Sequence, residues 1–295
     1  MANLDLPTVR MFLIEVAKEA GLIITRAGQS QVASTNKKNG TDIVTETDQE
    51  VEAHIAWRLK DRYPTFGFLG EESYKSGTKV LDKPTFIVDP IDGTSNFVHH
   101  FPAVCVSLGL VVSKRPAVGV VYNPFDDELW AAVQGGGAYM QKGGGQVQKL
   151  PLYMTPLESL QSACIGIEWG SDRDGPNFEL NLKVFTTLVR STRTGGRFVN
   201  SLRGTGSAAI AICRTAAGQQ DMFWECGCWV WDVAAAWCIL SEAGGIMVDG
   251  HPGNWEPPID NRRYLAVRPA TTGQKEVVEE FWSTMGDQRS LYGPP

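Results

Sequence analysis

The sequence has no apolar run long enough to cross a bilayer. Its longest, around Ala103–Val112, is stopped by Ser113-Lys114-Arg115-Pro116 well short of ~20 residues. Cysteine is sparse. Six in 295 residues cannot make a disulfide scaffold, and Cys105, Cys164, Cys213 and Cys238 stand among apolar neighbours, as reduced core thiols do. Positive charge is not in excess: 27 Lys and Arg against 33 Asp and Glu leave a net charge of −6. Such a surface has no general attraction for nucleic acid or anionic lipid. Histidine is scarce too. His99-His100 has no second pair to complete a zinc set, and Cys226-x-Cys228 is not a zinc spacing. The N-terminus does not read as a secretory leader, because Asp5, Glu15, Lys18 and Glu19 interrupt any apolar core. The expectation is a cytoplasmic protein with neither a membrane nor a nucleic acid as partner.

The chain does have the composition of an ordinary globular protein, 43% hydrophobic and 20% charged, with 31 glycines and 16 prolines to make turns. Its length allows one large domain or two intimately packed ones. The first ~60 residues read as two helices. One is Val9–Ala27, with Val9, Phe12, Leu13, Val16 and Ala20 at helical spacing; the other starts near Thr45 or Thr47 and ends at Tyr63-Pro64. From Phe66 to Gln141 the chain reads as strands: Phe66–Leu69, Thr85–Val88, Val104–Val112, Val118–Tyr122, Leu129–Val133 and Ala138–Gln141. Pro116 and Gly135-Gly136-Gly137 read as turns between them, and Gly143-Gly144-Gly145 as the joint between two halves, 1–145 and 146–295.

The second half alternates instead. Strands are expected at Ala163–Ile167, Asp221–Trp224, Ile246–Val248 and Tyr264–Val267, and helices at Phe178–Val189, Ser207–Ala217, Val230–Ala243 and Gly273–Met285. Strands in one half and alternation in the other predict a layered α/β fold. The tail Tyr292-Gly293-Pro294-Pro295 reads as frayed.

The informative stretch is Asp89-Pro90-Ile91-Asp92-Gly93-Thr94. The apolar run Phe86-Ile87-Val88 delivers Asp89 to a strand end, and Pro90 should stop the ladder there. Gly93 lets the backbone approach a ligand, and the amides after Asp92 would point at an anion. Two carboxylates three residues apart suit a hard cation such as Mg²⁺, which prefers oxygen and bridges to phosphate. Alone, Asp-Pro-x-Asp-Gly is ordinary turn punctuation. Other carboxylates join it: Glu71 at the end of Phe66–Leu69, Asp232 near the start of Val230–Ala243, and Asp48 in a helix-opening box, Thr45-Glu46-Thr47-Asp48.

In this order the motifs resemble those of the inositol monophosphatase family of Mg²⁺-dependent, Li⁺-inhibited phosphatases. The matching blocks are Asp42–Asp48, Gly70–Ser73, Asp89–Phe97, Trp231–Ala235 and Glu242–Gly245, collinear over nearly the whole chain. The resemblance implies a single compact αβαβα sandwich, a homodimer, and two or three Mg²⁺ per site. It implies that Glu71, Asp89 and the Ile91 carbonyl hold one metal and that Asp89, Asp92 and Asp232 hold a second. Glu71 would help hold a third ion through water, and Thr94 and Asp48 would orient the attacking water. Gly93 and Thr94 would give amides to the phosphate. Asp92, Ala208, Glu225 and Ser171 would touch the substrate, and Lys37 would stand near the metals.

One departure lies at Trp229, where family members often carry histidine; the loop Gly170–Gly175 is another, and both fall at the substrate rim. The function expected is direct hydrolysis of an inositol monophosphate by a metal-activated water. The alternatives are the same chemistry on fructose 1,6-bisphosphate, phosphoadenosine phosphate or histidinol phosphate, and a catalytically silent metabolite-binding relative. A phosphoaspartate route fits less well, because Asp89 and Asp92 are three apart rather than two.

Overall fold

The computed structural model describes residues 4–28, 34–36 and 43–294. In chain order the elements are α1 (Leu6–Gly28), β1 (Ser34–Asn36), β2 (Ile43–Thr45), α2 (Glu46–Arg62), β3 (Gly67–Gly70), β4 (Thr85–Asp92), α3 (Thr94–Val98), β5 (Cys105–Val112), β6 (Arg115–Asn123), β7 (Glu128–Val133), β8 (Gly137–Lys142) and β9 (Gln148–Lys149). There follow β10 (Cys164–Ile167), α4 (Gly175–Val189), β11 (Ser201–Arg203), α5 (Ala208–Ala217), β12 (Met222–Cys226), α6 (Val230–Glu242), β13 (Ile246–Asp249), β14 (Arg263–Val267) and α7 (Gln274–Ser283).

The apolar stripe of α1 (Val9, Leu13, Val16, Ala20, Ile24) and that of α2 (Val51, Ile55, Leu59) bury against one face of a seven-stranded sheet, ordered β3-β4-β5-β6-β7-β8-β9. Each large aliphatic side chain buried there stabilises the fold by ~1.5–3 kcal/mol. The other face packs on α5 and α6, whose far side meets Phe223, Tyr264 and Ala266 of a five-stranded sheet ordered β11-β10-β12-β14-β13. Helices α4 and α7 cover that sheet through Leu180, Val184, Val277, Val278 and Phe281. The layers run helix, sheet, helix, sheet, helix, as expected of an αβαβα sandwich.

Close packing of α6 positions the site. Gly109 and Gly119 present bare backbone to Ala234 and Ala235, and a Cβ on Gly119 would lie 2.9 Å from the Ala235 carbonyl carbon. Ser107 Oγ donates to the Trp231 carbonyl at 3.3 Å, pinning the start of α6 to β5.

Two expectations fail locally. The strand does not stop at Asp89. β4 runs on to Asp92, because its pairing with β5 slips between Asp89–Ser107 and Asp92–Cys105, so Pro90 sits where no ladder hydrogen bond is asked of it. Pro116 is not a turn but lies within β6 at a register shift. The turn is Ser113-Lys114, both at positive φ (51° and 59°). The short strands β9 and β11 were not foreseen, whereas the short helix expected to begin after Asp92 is present as α3.

Candidate active site

Three separate segments bring carboxylates to one place. Asp89 and Asp92 come from the irregular end of β4; Glu71 follows β3, whose parallel pairing with β4 is extended by the Glu71 N–H to the Val88 carbonyl at 3.1 Å. Asp232 comes from the first turn of α6, where one oxygen accepts the Trp229 N–H at 2.7 Å. Oxygens of Glu71, Asp89 and Asp232 all lie within 4.8 Å of one another. Asp92 stands beside them with its Oδ2 at the N-terminus of α5, accepting from Ser207 Oγ and the Ala209 N–H, each at 2.7 Å.

The electrostatics are those of crowded acids. Asp89 is pushed well above the carboxylate range, first by burial and then by Glu71 and Asp92. Asp232 is pushed the same way by burial, Asp92 and Glu71. Asp92 is raised only to about 6, because its hydrogen bonds from Ser207 and the α5 amides oppose the cost of burial. Among the described residues no lysine or arginine forms an ion pair with Asp89, Asp92 or Asp232. Converging and all-oxygen, with Asp89 and Asp92 buried and Glu71 and Asp232 half-buried, this donor set fits a hard divalent cation.

The neighbouring backbone suits an anion. Gly93 holds φ at 97°, and a Cβ there would come within 2.7 Å of the Ala103 carbonyl. The first hydrogen bond of α3 runs from the Phe97 N–H to the Gly93 carbonyl, which leaves the amides of residues 94–96 to other acceptors. Thr94 Oγ1 lies 3.2 Å from Asp48 Oδ1 and 3.0 Å from the Ile91 carbonyl. Asp48, in the first turn of α2, is buried.

Glu71, Asp89, Asp92, Gly93, Thr94 and Asp232 open on a cleft of about 610 Å³, lined also by Ala208 and Glu225. Burial and Glu168 push the Glu225 carboxyl well up. Ser171 lines an adjoining cavity rather than this cleft. Lys37 and Asp42 lie outside the described residues.

Glu168 escaped the sequence reading. It lines the cleft, and its Oε1 accepts the amides of Thr205 (2.5 Å) and Gly206 (2.9 Å). The signal was present: like Glu71 and Asp89, it is a carboxylate that follows an apolar strand, here Ile165-Gly166-Ile167.

The inositol monophosphatase family model matches residues 5–285. The chain belongs to the inositol monophosphatase family. It is 44% identical over 272 residues to inositol monophosphatase 2 of Saccharomyces cerevisiae, covering 90% of each chain. It is also 38% identical to protein qutG of Emericella nidulans, covering 94% of this chain and 93% of that one. Among solved structures, inositol monophosphatase from Anabaena superposes with a TM-score of 0.76 at 27% identity, over 97% of this chain and 98% of that one. The family assigns the coarse chemistry, that of a phosphoric monoester hydrolase.

Proposed function

We propose that this phosphatase hydrolyses inositol monophosphate to inositol and inorganic phosphate by direct attack of water, with two or three Mg²⁺ in the site. The observation that carries the reading is the Thr94–Asp48 pair standing beside the carboxylate cluster, with the amides of residues 94–96 on the same turn. The nearest support for inositol as leaving group is the name of the yeast relative; the similarity to qutG keeps other small phosphate esters as the second reading.

Magnesium held by Glu71, Asp89 and Asp232, with Asp92 and the Ile91 carbonyl as further oxygens, would lower the pKa of a bound water and offset charge on the ester oxygens. A phosphate monoester asks for positioning and charge neutralisation more than for covalent help. Thr94 donates its hydroxyl hydrogen to Asp48, which turns an oxygen lone pair toward the attacking water. Asp48, buried and fixed in α2, holds Thr94 in that orientation. Gly93 and Thr94 supply amides to the phosphate oxygens, and Glu225, Ala208 and Asp92 face the hydroxyls of the ring. Both halves, 1–145 and 146–295, contribute to the cleft, so we read them as one catalytic unit. We further propose a homodimer working in the cytoplasm, a reducing compartment that suits six free cysteines.

The test is phosphate release over a panel of inositol, sugar and nucleotide phosphates, with and without Mg²⁺ and again with Li⁺. Silence across the panel would leave a metabolite-binding relative as the better account. Trapping a phosphorylated Asp89 would end the direct-water mechanism.

A further inference from the structure

Tyr292 walls one side of a cavity that adjoins the site. A second cavity, of about 630 Å³, shares Glu71, Gly170, Glu225 and Asp232 with the cleft and is closed by Ser171, Trp229, Arg262 and Tyr292. Tyr292 belongs to the tail, beyond residue 285 where the family match ends.

Rather than frayed, the tail is bonded through Ser290, Leu291 and Tyr292. The Ser290 N–H donates to His251 Nε2 at 3.0 Å, and the Leu291 N–H to Asn177 Oδ1 at 2.7 Å. The Tyr292 carbonyl accepts from Arg263 Nη1, and its hydroxyl donates to Asp172 Oδ2, both at 2.5 Å. Its ring lies against Gly227, where a Cβ would meet it at 3.1 Å. The Arg262 guanidinium carbon is 4.9 Å from the centre of that ring and 3.6 Å from the centre of the Trp229 ring, which in turn stacks on Trp231 at 5.1 Å. A single stack thus runs from the tail to the residue next to Asp232.

The other end of the Tyr292 contact is the loop between β10 and α4, residues 168–174, which has no regular structure of its own. Its root is held by Asn181 Nδ2, which donates to the Trp169 carbonyl at 3.0 Å. Its tip is held through Asp172, by Tyr292 and by Asn177 Nδ2 at 2.7 Å. A hydrogen bond to a carboxylate is among the stronger ones. Losing it removes the tie between Tyr292 and Asp172, which stands between Ser171, on the wall of the second cavity, and Arg173, which lines the cleft.

We propose that Tyr292 is a specificity-determining positioning residue. It clamps loop 168–174 against the Arg262–Trp229 stack and so fixes the shape of the pocket beside the reacting phosphate, which then takes a compact polyhydroxylated ring in preference to a flat aryl alcohol without ring hydroxyls. The proposal deepens the phosphatase reading above and rests on it.

The experiment compares wild type, Tyr292→Phe and Tyr292→Ala on inositol 1-phosphate and on 4-nitrophenyl phosphate with Mg²⁺, and follows backbone hydrogen exchange over residues 168–174 in all three. Tyr292→Phe, which keeps the stack and loses the hydroxyl, should raise KM for inositol 1-phosphate about tenfold with kcat within about twofold. The ratio of kcat/KM between the two substrates should fall by the same factor. Tyr292→Ala should go further on both measures and speed exchange in loop 168–174. A parallel loss on both substrates would mean a merely structural role and overturn the proposal, as would unchanged exchange in that loop in Tyr292→Ala. Release from neither substrate by wild type would instead refute the phosphatase reading and the specificity claim with it.

Discussion

Replacing Asp92 by Asn should abolish turnover and yet stabilise the metal-free protein at neutral pH. Asp92 is buried, and its acid is raised from 3.8 to about 6 in the fold. Between pH ~4 and ~6 the folded chain therefore holds a proton that the unfolded chain has released. Stability of the metal-free protein falls as pH rises through that window, and the whole loss is in place above it. A rise of about two pK units corresponds to about 3 kcal/mol. Asn keeps an oxygen to accept from Ser207 Oγ and the Ala209 N–H, now as weaker neutral hydrogen bonds, and brings no charge into the cluster. The net gain should thus be about 1–2 kcal/mol at pH 7.5 and should vanish near pH 4. Urea denaturation of both proteins in EDTA, at several pH values, measures it. Adding Mg²⁺ should reverse the order, because only a folded protein with its full ligand set gains RT ln(1 + [Mg²⁺]/Kd). An Asp92→Asn protein less stable than wild type in EDTA at pH 7.5 would refute the repulsion argument; normal phosphate release by it would refute the ligand assignment.

Two further changes separate chemistry from scaffold. Asp48→Asn should lower kcat by about 10²-fold or more while KM moves less than about threefold, since the Thr94 hydroxyl loses its anionic acceptor but the phosphate amides stay. An effect confined to KM in steady-state kinetics would remove Asp48 from the water-orienting role. Arg214→Ala should cost about 3 kcal/mol in urea denaturation without changing activity per folded molecule. It leaves the buried Glu128 with only the exposed Lys142 at 2.9 Å and strips a cation from the Trp130 face at 5.1 Å. A loss under about 1 kcal/mol would show that Lys142 alone satisfies Glu128.

What could be read from the sequence was whatever is carried by a local pattern. Asp89 and Glu71 are legible because each carboxylate directly follows an apolar run, and Asp232 because it opens an apolar helix. The layered fold is legible because α1 and α2 carry helical stripes while β4 to β8 are short, β-rich and broken by turn residues. That Thr94 meets Asp48 across 46 residues follows from no local rule; the family resemblance supplied it. The misreading of Pro90 has a definite cause. A proline excludes a ladder hydrogen bond only where the ladder asks for one, and a register slip between Asp89 and Asp92 removes the demand.

The tail shows the opposite limit. By composition, Tyr292-Gly293-Pro294 at a chain end looks like a segment too small and polar to order itself, and alone it would be. Its order comes from partners far back in the sequence: Asp172 for the hydroxyl, Arg263 for the carbonyl, Arg262 for the ring. None of these residues is marked by periodicity or spacing. Arg262 and Arg263 come there because β12 and β14 pair antiparallel, with Cys226 opposite Arg263 and the Gly227 N–H donating to the Arg262 carbonyl at 2.7 Å; Asp172 comes on the loop after β10, which pairs with β12 on its other side. The carboxylate cluster is thus written in strand ends and helix starts, whereas the cavity beside it is assembled from loops and the Tyr292 segment. On the proposed function, relatives that share Asp48, Glu71, Asp89, Asp92, Thr94 and Asp232 would differ in the ester they accept without altering any of the residues proposed to hold metal.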